Sequence, residues 1–222
     1  MEEIGGKTNM EQNILKRYNE IHIMLWEEVI KVFSVRTNEP IEYYKTNTEQ
    51  IKTLYIASLK RTALFNLFVR GKITEEEKNN LLMNANCAAC YVADTVKSIK
   101  SIMGNANWDN HRCEFCPVKK WNASGKYCND YHTVEDRLDD LIRYITNCIT
   151  HREKFNLGAY TSLRKAIMKK MYIVAHLEWE YEKNDVRKYM AECIKKLNKG
   201  VRINLRNAIL RRLEFLEWRY EE

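Results

Sequence analysis

The stretch that decides the fold is residues 11–33, EQNILKRYNEIHIMLWEEVIKVF. Apolar side chains recur in it every three or four residues, at Ile14, Tyr18, Ile21, Leu25, Val29 and Val32. This spacing gathers them on one side of a helix, which predicts an amphipathic α-helix with that side buried.

Composition extends the same expectation to the whole chain. Among 222 residues there are only 7 Gly and 2 Pro, while 45% of the residues are hydrophobic. Scarce Gly and Pro argue against an architecture of strands and tight turns, and the hydrophobic content is ample for a core. We therefore predict a single all-α domain over 1–222, with six or seven helices in a bundle-like array.

Local signals place the other helices. Asn47 with Gln50, and Thr74 with Glu77, match the capping-box pattern of helix starts, and Gly71 suits a left-handed helix end. A helix is expected from Thr74 onward, either to Met103 with Gly104 as its stop or with a break just before Cys87, where Asn84 and Asn86 interrupt the pattern. The remaining predicted helices cover 47–70, 133–151, 161–182, 185–199 and 203–220.

Two pairs of cysteines carry the clearest chemical signal. Cys87 and Cys90 form one C-x-x-C, and Cys113 and Cys116 form a second. Two such pairs can supply four thiolates to a tetrahedral zinc ion, because a two-residue gap lets both sulfurs of a pair turn toward one point. Zinc would also stabilise the non-periodic loop 104–132, which has little apolar surface to bury.

The segment 87–132 is thus predicted to be a structural zinc-bound loop between the two helical halves. Cys128, His111 and His132 are nearby spare ligands. Burial of the cysteines as small apolar side chains is the alternative, and Cys148 and Cys193 are predicted to be core residues of that kind. A catalytic zinc would need Cys128 or a histidine to complete an open site, whereas four thiolates usually close it.

The cysteine pattern resembles one found in short, uncharacterised phage-encoded proteins. The likeness covers residues 87–131: C-x-x-C, then C-x-x-C-P with Pro117, then Trp121 and Cys128. In those proteins the Trp stands closer to the Pro. The resemblance implies a viral or mobile-element setting, in which small accessory proteins often bind and disable a host component.

Positive charge is concentrated in the last third of the chain. Residues 152–222 hold 17 Lys and Arg against 10 Asp and Glu, which accounts for the whole formal charge of +7. On a shared helix face these cations could contact phosphates; the alternative is a solvated face. The candidate contacts for nucleic acid or an acidic partner are Arg187, Lys188, Lys195, Lys199, Arg202, Arg206, Arg211 and Arg212.

No motif for phosphate binding or nucleophilic catalysis is present in the sequence. We therefore expect a non-enzymatic protein that binds a host protein or nucleoprotein complex in the cytoplasm of a bacterial host cell. Direct binding of nucleic acid is the alternative function. No membrane contact is expected, and a homodimer is compatible with the apolar stripes.

Overall fold

The computed structural model describes residues 14–83, 88–89, 93, 118, 129–177 and 179. Within these residues the chain is helical, which confirms the all-α class, and the one extended pairing is an isolated antiparallel bridge between Val118 and Trp179. The elements are α1 (Ile14–Arg36), α2 (Ile41–Thr46), a 3-10 helix (Thr48–Leu54), α3 (Ile56–Val69), α4 (Glu75–Met83), α5 (Asn129–Ile149) and α6 (Leu157–Ala175).

Helix α1 is the centre of the fold. It packs against α3 and against α6, and α6 also packs against α5. From Tyr18 to Val32 the predicted stripe of α1 is buried, with Ile21 and Val29 fully shielded from solvent. Trp26 and Phe33 are also fully buried, so α1 contributes two large aromatic side chains to the single core.

The helix predicted from Asn47 to Arg70 begins at Thr48 as a 3-10 helix, and the predicted capping box is not formed. The Asn47 side chain makes no cap; its amide Nδ2 instead donates to the carbonyl oxygen of Tyr43, at 3.0 Å, at the end of α2. A 3-10 helix follows, and α3 begins only at Ile56, after the extended residue Tyr55. Helix α2 lies between the first two predicted helices, where no helix was predicted, and Pro40 stands immediately before it.

The start of α4 and the end of α3 follow the sequence signals. The Thr74 N–H donates to Glu77 Oε2 at 2.8 Å, and the Glu77 N–H donates to Thr74 Oγ1 at 3.1 Å, which completes the capping box. Gly71 has a φ of 65°, as its place after α3 requires. Glu77 also accepts from Arg17 of α1 at 2.7 and 2.9 Å, so the capped end of α4 is fixed to the central helix.

The last two helices of the described residues begin earlier than predicted, and α6 also ends earlier; the helices predicted over 185–199 and 203–220 lie outside the described residues. Helix α5 starts at Asn129, and α6 starts at Leu157 because the Asn156 side chain accepts a hydrogen bond from the Ala159 N–H. Helix α6 ends at Ala175 rather than at residue 182. Leu177 and Trp179 remain buried beyond it, so they belong to the core without being helical.

Of the helices in the described ranges, none has both the length and the apolar character needed to cross a membrane.

Candidate functional surfaces

Nearly all of the residues predicted to bind metal or nucleic acid lie outside the described residues. Only the backbone of His132, within α5, is described. The others are Cys87, Cys90, Cys113, Cys116, Cys128, His111, Arg187, Lys188, Lys195, Lys199, Arg202, Arg206, Arg211 and Arg212. Cys193 lies outside as well, whereas Cys148 is buried in the core as predicted.

Short described segments flank both cysteine pairs. Ala88 and Ala89, which stand between Cys87 and Cys90 in sequence, are fully buried. Val118, two residues after Cys116, is also fully buried and belongs to the same hydrophobic cluster. Both pairs are therefore adjacent in sequence to residues of one core.

Metal-binding side chains do not cluster elsewhere in the described part of the chain. Over residues 14–83, 129–177 and the isolated described positions, no group of three or more His, Cys, Asp or Glu side chains could hold an ion.

Helix α3 presents an outer stripe formed by Arg61, Phe65 and Val69. These residues follow one another at intervals of four, so they share one side of the helix. Phe65 is 59% exposed and Val69 is 65% exposed, and Arg61 is exposed too. The opposite side of α3 enters the core through Ala63, which is fully buried.

A buried carboxylate fixes α3 in this orientation. Glu28 of α1 accepts a hydrogen bond from Asn66 Nδ2 at 2.9 Å and forms an ion pair with Arg70 at the end of α3. Burial alone raises the pKa of Glu28, but the hydrogen bonds from Arg70 and Asn66 outweigh it and hold the pKa below its usual value. Glu28 is therefore charged at neutral pH.

The inner side of α6 is fixed to the end of α1 by two polar side chains. Tyr160 donates its hydroxyl proton to the Thr37 carbonyl oxygen at 3.0 Å. Arg164 donates from Nε to Thr37 Oγ1 at 2.9 Å and from Nη2 to the Ser34 carbonyl oxygen at 3.3 Å. Arg164 is thus used for packing, whereas Lys165 and Lys169 lie on a different side of α6 and are exposed.

The outer side of α6 carries a second stripe, formed by Lys165, Lys169, Tyr172 and His176. All four residues are exposed, and Tyr172 is 58% exposed. The rings of Tyr172 and His176 stack, with 4.2 Å between their centroids. This stripe is not among the predicted contact residues, although its spacing of four, three and four residues could have revealed it.

A histidine and an indole meet where α1 contacts the end of α6. The fully buried His22 makes a 2.7 Å hydrogen bond between Nε2 and the Val174 carbonyl oxygen. The ring of His22 lies 5.6 Å from the indole of Trp179, which pairs with Val118 through the isolated bridge. His22 is therefore a structural residue of the core.

No protein-family model, curated protein or solved structure matches this chain.

Proposed function

We propose that this chain is a non-enzymatic accessory protein of the phage type, which binds a host protein or nucleoprotein machine in the bacterial cytoplasm and inhibits or redirects it. A host defence complex is one such target, as for an anti-CRISPR-like inhibitor. The cysteine pattern supports the phage setting. The observation that carries the binding proposal is the outer stripe of α3.

Phe65 and Val69 are the energetic basis of the proposed contact. Isolated exposed apolar residues are normal on protein surfaces, but here two stand one turn apart on the same side of a helix. Covering a Phe or Val side chain gains about 1.5–3 kcal/mol each when burial is complete. Buried aromatic anchors of this kind commonly dominate protein interfaces.

Arg61 indicates which charge the proposed partner should carry. It extends the stripe by one turn, and no ion pair to it is formed within the described part of the chain. An acidic side chain beside an apolar patch would complement it, because opposite charges favour both orientation and association rate. We therefore propose a host protein surface that is apolar and acidic as the occupant of the stripe.

We also propose a structural zinc ion held by Cys87, Cys90, Cys113 and Cys116, with Cys128, His111 and His132 as possible replacements for one thiolate. The doubled C-x-x-C supports this assignment by its donor set. The burial of Ala88, Ala89 and Val118 supports it by anchoring both pairs to one core. When bound, zinc would cross-link the two segments and stabilise the fold.

A pull-down with matched variants tests the binding proposal. Tagged protein is incubated in bacterial lysate with and without nuclease, and the captured protein is identified, purified and titrated against the chain. The double variant Phe65→Ser/Val69→Ser should lose at least about tenfold in affinity, because two apolar contacts are removed. Val35→Ser/Leu157→Ser, which alters two other exposed apolar residues, should not. Equal effects, or capture of nucleic acid alone, would contradict the proposal.

Metal analysis tests the zinc assignment separately. The purified protein should contain about one zinc per chain by elemental analysis, and Cys113→Ser should lose both the metal and cooperative unfolding. Cys148→Ala is the control, because this buried cysteine lies in the α5 core and should not affect the zinc content. A metal-free wild-type protein that unfolds cooperatively would refute the assignment.

A further inference from the structure

We infer that the outer stripe of α6 is a contact site for single-stranded nucleic acid, a function independent of the protein contact proposed for α3. The inference rests on the geometry of Lys165, Lys169, Tyr172 and His176. Their positions fall within about 60° of one another around the helix axis, at 100° per residue. They extend along about 16 Å of the axis.

All charged side chains of α6 are positive. None of its 19 residues is Asp or Glu, whereas Arg164, Lys165, Lys169 and Lys170 are basic. Arg164 is bound to the end of α1, and Lys165 and Lys169 form no ion pair with any carboxylate in the described part of the chain. Both ammonium groups are therefore available to a phosphate backbone, from which their binding would release counterions.

Tyr172 supplies an aromatic surface for base stacking, which lysines alone lack. A basic groove becomes a site for single strands when an exposed aromatic ring offers a base a surface to stack on. Tyr172 lies three residues after Lys169. Its side chain is 58% exposed, so the ring is accessible to a base. The stacked ring of His176 supports it from one side at 4.2 Å.

An acidic side chain limits the stripe at one end. Glu27 of α1 lies 4.0 Å from His176 Nε2, so the stripe ends at a carboxylate where it approaches α1. A duplex is wider than a single strand, whereas one strand can follow the α6 stripe alone.

Fluorescence anisotropy with the full chain tests the site. The probe is a fluorescein-labelled single strand of about 12 nucleotides, titrated between about 50 and 200 mM salt. Lys165→Gln/Lys169→Gln should weaken binding by about tenfold or more, and should reduce the slope of log K against log salt by about 1.4, or 0.7 per lost phosphate contact. Lys31→Gln/Lys52→Gln removes two exposed lysines elsewhere and should leave the slope unchanged.

The aromatic part of the site has its own test. Tyr172→Ala should weaken binding by about tenfold because a stacking surface is lost, and Tyr172→Phe should stay within about twofold of wild type. Absence of binding by the wild type at low salt, or equal losses in the two lysine double variants, would overturn the inference. So would displacement of the probe by polyglutamate as effectively as by unlabelled strand, which would indicate an acidic protein segment instead.

Discussion

Replacing Gly71 by Ala should destabilise the protein, and replacing His151 by Gly should stabilise it, because the two residues occupy the same backbone position at two helix ends. Gly71 has a φ of 65° and His151 a φ of 59°. After α3, the Gly71 N–H donates to the Phe68 carbonyl and the Lys72 N–H donates to the Leu67 carbonyl, both at 2.9 Å.

The end of α5 has the same hydrogen-bond pattern. The His151 N–H donates to the Cys148 carbonyl at 3.4 Å, and the Arg152 N–H donates to the Asn147 carbonyl at 2.9 Å. This is the Schellman arrangement, in which the residue after the helix adopts a left-handed conformation. Glycine occupies that residue without a steric penalty, whereas histidine does not.

The magnitude follows from the surroundings of each residue. A Cβ added at Gly71 would meet no atom within 4 Å, so the cost is the backbone conformation alone, about 1–2 kcal/mol. The smaller entropy of the unfolded Ala variant offsets about 0.4–1 kcal/mol of this. We therefore expect Gly71→Ala to lose about 1 kcal/mol and His151→Gly to gain about 0.5–1 kcal/mol.

Thermal and urea unfolding followed by circular dichroism would measure both changes. For a chain of this size 1 kcal/mol corresponds to about 2–4 °C in Tm. His151→Ala keeps a Cβ and should show no gain, and Gly71→Asn should be milder than Gly71→Ala because Asn tolerates this conformation better. A gain from Gly71→Ala, or equal gains from the Ala and Gly variants at 151, would refute the reasoning.

Three further changes test the polar contacts. Glu77→Gln should lower the unfolding free energy by about 1 kcal/mol at neutral pH, because it weakens the contact with Arg17. Burial raises the pKa of Glu77, but hydrogen bonds from Arg17 and Thr74 outweigh it, so the pKa is lowered on folding. The stabilisation by Glu77 therefore exists above the unfolded pKa and is lost as pH falls through the folded pKa. Between about pH 6 and 3, the unfolding free energy of the variant should consequently change less with pH than that of the wild type. Thr74→Ala should cost about 1 kcal/mol in urea unfolding, since a helix cap is lost. Tyr160→Phe should cost about 1 kcal/mol by the same assay because its hydrogen bond to Thr37 disappears; an unchanged value would contradict the tie between α6 and α1.

The features that could be predicted from the sequence are those decided within a few residues. Thr74 and Glu77 form the expected capping box, and Gly71 adopts the expected conformation, because each needs only its neighbours in the chain. Asn47 does precede a helix, but it does not form the predicted capping box, because its side-chain amide donates to a competing acceptor, the Tyr43 carbonyl. The left-handed His151 gives no sequence signal, because the end of α5 lacks the Gly or Asn that usually marks such a helix end.

The surfaces could be predicted only in part. The apolar spacing after Thr161 continues through Leu177 to Tyr181 in the sequence, and it therefore overstated the length of α6: Leu177 is buried without being helical. Apolar periodicity identifies buried residues more readily than it identifies the exposed residues that form one surface. Orientation of the outer stripes depends on long-range contacts such as Glu28 with Asn66, 38 residues apart.

The bridge between Val118 and Trp179 makes the indole of Trp179 an intrinsic fluorescent probe. Val118 is two residues from Cys116, and the indole of Trp179 is 5.6 Å from the imidazole of His22. A shift of the chain near Cys116 would move Val118 and, through the backbone pairing, Trp179. The distance between the Trp179 indole and the His22 imidazole, a group that quenches indole fluorescence, would then change. The emission of Trp179, one of five tryptophans in the chain, should consequently report events at the second cysteine pair once the other four are replaced by Phe, from a position about 60 residues away in sequence.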